Sequence, residues 1–234
     1  MLEFLEILFR YGLRSSIREI YASWIRNIDG QLGNNLRYAY YKKRLKYLGK
    51  NVIIDIGVLI YGAEYISIDD GTHLDKYSML VASSPNIDLS KRALLETGTD
   101  NTLVKGEIII GKDCHISQYT MIYGYYGVKI GDLCTLSANS KIYSLSSLPY
   151  NPHDRNEKIS IQPYSGKSPT IAGAVVLEDN VWLGLDVVVN PGVKLEKNTF
   201  VKSGTFITQS FSENSYIAGE PAKRIKNRYG DNQR

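Results

Sequence analysis

From Leu177 to Ile207 an aliphatic residue recurs at every sixth position: Leu177, Leu183, Val189, Leu195, Val201 and Ile207. Neither the 3.6-residue period of a helix nor the two-residue period of a strand produces that spacing. Two positions before each anchor stands a small or β-branched residue: Val175, Val181, Val187, Val193, Thr199 and Thr205. Each six-residue step therefore carries two compact inward positions. Such a step is a short strand plus a turn, and three steps close one triangular coil of a β-solenoid. The same clock runs earlier with interruptions, through Ile68, Leu74 and Leu80, then Ile110, Ile116 and Ile122, then Ile130, Leu136 and Ile142, with Ile54 and Ile60 in a less regular first coil. The longer step from Ile122 to Ile130 predicts a small bulge at Y-G-Y-Y-G. One solenoid is expected over 51–217.

The pattern resembles the hexapeptide-repeat acyltransferases. The resemblance implies a mainly β fold, a left-handed parallel β-helix, with an N-terminal helical segment and a short C-terminal helix. In that family the groove between neighbouring subunits holds acyl-coenzyme A beside a sugar, amine or hydroxyl acceptor, so a homotrimer is implied as well.

The 234 residues, 43% of them hydrophobic, suffice for one packed domain with an appendage, and no run of eighteen apolar residues offers a membrane span. A soluble chain is expected. The formal charge of +4 is modest, and the basic residues gather in Y-K-K-R-L-K and A-K-R-I-K-N-R without a stripe of base-stacking aromatics. Nucleic acid is therefore not the expected partner, and the eighteen tyrosines read as packing on coil faces and subunit contacts. The two cysteines, Cys114 and Cys134, both occupy the small inward slot, as buried filler rather than nucleophiles. No signal peptide opens the chain, so a reducing cytoplasm is expected.

Residues 1–50 differ in kind. Leu5, Leu8, Phe9, Leu13, Ile17, Ile20, Tyr21, Trp24 and Ile28 recur at three- and four-residue steps with arginines between them, an amphipathic helical pattern. A second helix is predicted over Leu36 to Leu48. These helices either cap the first coil, whose end would otherwise expose apolar surface and open strand edges, or lie on a membrane surface as a peripheral anchor.

Two insertions interrupt the coils, near 83–105, with a short helix predicted at Leu89 to Leu95, and near 143–169. Loops held on a rigid scaffold are where chemistry usually sits. Acetyl transfer from a thioester to a hydroxyl needs a base for a poorly acidic proton, and imidazole suits that task near neutral pH. In the family that this chain resembles, the loop upstream of V-W-[IL]-G carries the catalytic histidine. Here V-W-L-G is Val181 to Gly184, but the matching position holds Ser146, Ser147 and Leu148. The base must then come from His115, which alternation turns outward beside inward Ile116, or from His153 in N-P-H-D-R, with His73 a lesser candidate. The remaining reading dispenses with histidine and uses Asp154 or Glu157, or has no activity.

The run S-Y-I-A-G-E-P-A-K-R-I, Ser215 to Ile225, is similar to the closing A-G-x-P-A-K-x-I of the family. The resemblance places Gly219, Pro221, Ala222, Lys223 and Arg224 beside the adenine and phosphate end of the coenzyme, where cations pair with phosphates. It places Ser203, Gly204 and Thr205 along the pantetheine arm and Trp182 at the groove, with residues 218–234 as a tail.

The function implied is an acetyl-coenzyme A dependent O-acetyltransferase acting on a sugar or glycan of a bacterial surface polysaccharide, lipopolysaccharide or capsule. That acceptor class rests on Leu36 to Val52, which looks like the start of solenoids used in exopolysaccharide synthesis. An N-acyltransferase of an amino sugar would use the same scaffold, commonly with an N-terminal nucleotide-binding unit that residues before Asn51 do not show. A non-catalytic binding module also remains open. A γ-class carbonic anhydrase, likewise a β-helix trimer, needs three histidines on zinc. The wide spacing of His73, His115 and His153 speaks against it, so no metal is expected.

Overall fold

The computed structural model of the chain describes residues 12–90, 92–98, 103–148, 153–154 and 168–230. The hexads wind into a left-handed parallel β-helix whose three faces are parallel sheets. The first face stacks Tyr47–Leu48, Ile66–Ile68, Ile108–Ile110, Val128–Ile130, Val175–Leu177 and Lys194–Leu195. The second stacks Ile53–Ile54, His73–Leu74, His115–Ile116, Thr135–Leu136, Trp182–Leu183 and Phe200–Val201, then Ser215–Ala218 and Lys223–Asn227. The third stacks Leu59–Tyr61, Met79–Val81, Met121–Tyr123, Lys141–Tyr143, Val188–Val189 and Phe206–Ile207. The first strand, Tyr47–Leu48, precedes the expected start at 51.

Every anchor from Leu74 to Ile207 is buried, as are Thr72, Cys114, Cys134, Val181, Thr199 and Thr205 in the small slots. The inward hydroxyls of Thr72 and Thr199 are tolerated because they donate to corner carbonyls, Thr72 Oγ1 to Gly111 O at 2.7 Å and Thr199 Oγ1 to Glu196 O at 2.7 Å. A donor so placed avoids the desolvation penalty of an unpaired polar group. Cys114 and Cys134 are free thiols, each donating to a carbonyl of the next coil. The corner between the first and second faces is stitched by side chains. Asp132 Oδ1 accepts from Lys112 N, Asp179 Oδ1 accepts from Asp132 N, and Asn180, Asn198 and Asn214 form an amide ladder.

Both insertions leave from the corner between the third and first faces, after Val81 and after Tyr143, and the bulge at 124–127 lies there too. Within the insertions Leu145–Ser147 pairs antiparallel with Ser168–Ala172, which pairs parallel with Arg92–Glu96. The segment expected as a helix at Leu89 to Leu95 is thus in part a strand, because a distant partner supplies the backbone hydrogen bonds that local propensity does not anticipate.

Helix α1 (Leu13–Arg26) and helix α2 (Gly30–Tyr41) precede the coils. The second predicted helix stops at Tyr41, and its expected last residues, Tyr47–Leu48, form the first strand instead. Arg37, 1% exposed, joins both helices to the solenoid, donating from Nε to Ile54 O and from Nη1 to Ile25 O and Ile28 O. Tyr41 and Leu45 belong to the solenoid core, so α2 closes its first coil. Ile17, Ile20, Tyr21 and Trp24 of α1 remain exposed. Among the described residues no helix is long and apolar enough to cross a membrane. At the other end, the expected C-terminal helix is instead the strand Lys223–Asn227, which folds back antiparallel on Ser215–Ala218 and so caps the exposed edge of the second face.

Candidate active site on the second face

Parallel pairing without a register shift places every outward residue of one hexad above its counterpart. On the second face this yields a single column: Ile53, His73, His115, Thr135, Trp182, Phe200 and Tyr216. The histidine rings stack with centroids 5.7 Å apart. Three rungs along, Trp182 meets Phe200 edge-on at 5.6 Å, and Phe200 stacks on Tyr216 at 5.1 Å. At a strand spacing of about 4.8 Å the column runs roughly 19 Å from His115 to Tyr216.

The residue after each inward anchor opens the corner between the second and third faces, and in the first two coils it is an aspartate. His115 Nε2 lies 2.9 Å from Asp75 Oδ2, and His73 Nε2 lies 3.1 Å from Asp55 Oδ2 and 3.2 Å from Asp75 Oδ1. The His115 side chain is about half exposed, whereas that of Asp75 is largely covered. A carboxylate that accepts the Nε2 proton fixes the tautomer and leaves the Nδ1 lone pair available. The pair can thus hold an imidazole ready to take a proton. Asp75 and Asp55 escaped sequence reasoning, although writing the hexads one above another would have revealed H-L-D at 73–75 next to H-I-S at 115–117.

His153 is placed elsewhere. Its Nε2 lies 3.0 Å from the Leu94 carbonyl in the added sheet, so it belongs to the insertion corner and not to the column. Asp154 is exposed beside it, and Glu157 lies outside the described residues. Ser146 and Ser147, where a family histidine would align, are edge residues paired with Ile171 and Thr170.

The residues expected along the coenzyme divide. Trp182 is exposed, with Nε1 donating to Ser137 Oγ at 3.2 Å. Ser203 and Gly204 form the next corner along the stack, where Ser203 Oγ accepts from Leu185 N, and open space surrounds the missing Cβ of Gly204. The Gly204 amide donates to Leu185 O, so it is not free for a ligand. Thr205 points inward, 1% exposed, with Oγ1 donating to Lys202 O at 2.7 Å, and Ala222 is buried against the core. Those two side chains cannot touch a ligand outside the helix. Gly219, at φ 96, and Pro221 turn the chain into the C-terminal strand, which carries Lys223 and Arg224 exposed at the end of the second face. The same strand sets Lys226 over the Tyr216 ring, and Arg228 beyond it stands over Phe200, two cations that the motif did not single out.

A family model described as the hexapeptide repeat of succinyl-transferase matches residues 107–144 and 174–209. These two stretches of the solenoid carry the hexapeptide repeat of that model. Galactoside O-acetyltransferase of Escherichia coli K12 is 27% identical over 119 residues, 51% of this chain and 53% of that protein. The chain spans little more than half the length of curated relatives such as this. AntD, an N-acyltransferase from Bacillus cereus solved with dTDP and 3-hydroxybutyryl-CoA, superposes with a TM-score of 0.62 at 21% identity, over 82% of this chain and 87% of that one. A hexapeptide-repeat acetyltransferase of Vibrio cholerae solved with acetyl coenzyme A gives 0.55 at 17% identity, over 91% and 87%. At those identities the solved relatives establish the shared β-helix.

Proposed function

We propose that this hexapeptide-repeat protein is an acetyl-coenzyme A dependent O-acetyltransferase that modifies a sugar hydroxyl of a bacterial surface glycan. The observation that carries the reading is the His115–Asp75 pair, exposed on the same outward column as Trp182. With Nε2–H donated to Asp75, Nδ1 of His115 removes the acceptor hydroxyl proton as the oxygen attacks the thioester carbon. Collapse of the tetrahedral intermediate breaks the C–S bond, and the departing thiolate recovers the proton. The pantetheine arm runs along the column past Trp182 toward the terminal cations, where Lys223, Arg224 and Lys226 meet the phosphates. A second chain supplies the facing wall, which makes the working unit a cytoplasmic homotrimer.

The test is release of coenzyme A thiol from acetyl-coenzyme A in the presence of a panel of glycans, with amino sugars included because AntD is an N-acyltransferase. His115→Ala lowers turnover by at least about a hundredfold, the loss typical of a general base, and His153→Ala leaves it within about twofold. Equal turnover by His115→Ala and the native chain defeats the assignment. An N-acetylated product moves the acceptor from hydroxyl to amine and leaves the base in place.

A further inference from the structure

The wide sequence separation of the histidines, which spoke against a metal, is irrelevant in space, because the insertion at 82–107 leaves His73 and His115 on adjacent coils. One ring nitrogen of each histidine and a carboxylate oxygen of Asp75 all lie within 4.8 Å of one another. Asp55 brings a second carboxylate to 3.1 Å from His73 Nε2. Both imidazoles turn the same ring nitrogen toward one acid. Two ligands of a tetrahedral zinc at about 2.0–2.1 Å from the metal stand roughly 3.3 Å apart, and the contacts here are 2.9, 3.1 and 3.2 Å. The donor set therefore needs only small side-chain adjustments to exchange shared protons for a shared cation.

We infer that His73, Asp75 and His115, with Asp55 beside them, form a binding site for a divalent transition metal ion, and that its occupancy excludes acyl transfer. Two imidazoles and one carboxylate suit zinc and its neighbours over magnesium or calcium, which demand oxygen ligands. The exclusion follows from the tautomer. A neutral imidazole that gives its Nε2 lone pair to a metal carries its proton on Nδ1, so the atom that must accept the acceptor's proton becomes a donor. The carboxylate that orients the ring is captured by the same ion. Only this second clause rests on the base assigned under the proposed function.

Calorimetric titration of ZnCl2 into the 234-residue chain, stripped with EDTA and dialysed, reads the site directly. One equivalent per chain binds, Co2+ gives the visible d–d absorption of a tetrahedral N/O site, and MgCl2 and CaCl2 give neither. His73→Asn and His115→Ala, checked for native circular dichroism, each weaken zinc binding by at least about thirtyfold, as expected when one of three ligands is lost. No zinc binding by the native chain, or binding unchanged in both variants, overturns the site. Equimolar zinc abolishes transfer by the native chain and EDTA restores it. Full transfer by zinc-loaded protein, or activity that requires the metal, overturns the exclusion. If zinc binds while His115→Ala transfers normally, the base fails and the metal site stands.

Discussion

His115 reaches Asp75 across a single rung of the coil stack, Nε2 to Oδ2 at 2.9 Å, although forty positions separate them in the chain. The Asp75 carboxylate accepts from His115 on Oδ2, and its Oδ1 lies 3.2 Å from His73 Nε2, whose hydrogen bond goes to Asp55. In the proposed function the role of Asp75 is to orient. Asp75→Asn keeps the shape and removes the anion, so the ring loses its fixed tautomer. The expected outcome is a fall of about 10- to 100-fold in kcat, with KM for acetyl-coenzyme A little changed, in line with losses seen when a histidine's orienting partner is removed. Steady-state kinetics at saturating acceptor check it, and a change confined to KM refutes it.

Arg37 is the tie between the helices and the solenoid. Burial holds its guanidinium below the usual arginine range, and three backbone carbonyls accept its protons. Arg37→Met fills much of the space and leaves those carbonyls without a donor, at a cost of about 3 kcal/mol or more. The urea midpoint falls accordingly at unchanged m-value. An unaltered midpoint would show that α2 is not anchored through this side chain.

Tyr41 closes the first coil from within, and burial pushes its phenol up to about 12. An unfolded tyrosine ionises near 10, so the unfolded chain loses this proton first. The fold is therefore unaffected by Tyr41 below pH 10, loses stability as pH rises from about 10 to about 12, and forfeits about 3 kcal/mol in all. Tyr41→Phe removes that part of the alkaline slope. Parallel pH–stability curves for the two proteins would contradict the assignment.

The two thiols are sealed in the core, and the Cys134 thiol is pushed up by its neighbour Cys114 and by burial. Ellman's reagent should label neither residue in the native chain and both once it is unfolded in denaturant. Rapid native labelling would mean that the coils around 114 and 134 open.

The hexad anchors made the fold readable because each coil buries residues dictated by position alone, and Leu177 to Ile207 needed no tertiary information. The Arg92–Glu96 strand was not readable, since its partner at 168–172 lies far along the chain. The site was half legible. His115 followed from outward alternation and Trp182 from the resemblance, but Asp75 acquires meaning only when two coils are superposed. Thr205 and Ala222 were misjudged because a motif match says nothing about which side of the wall a side chain takes. The family's histidine position, occupied here by Ser146 and Ser147, became sheet edge.

Length changes gather at the corner between the third and first faces, in the insertions after Val81 and Tyr143. A lineage built this way can rewrite its rim freely, lengthening or exchanging segments there, while the column running from His73 to Tyr216 stays in step. Variation at the rim is thereby uncoupled from the alignment of the outward side chains.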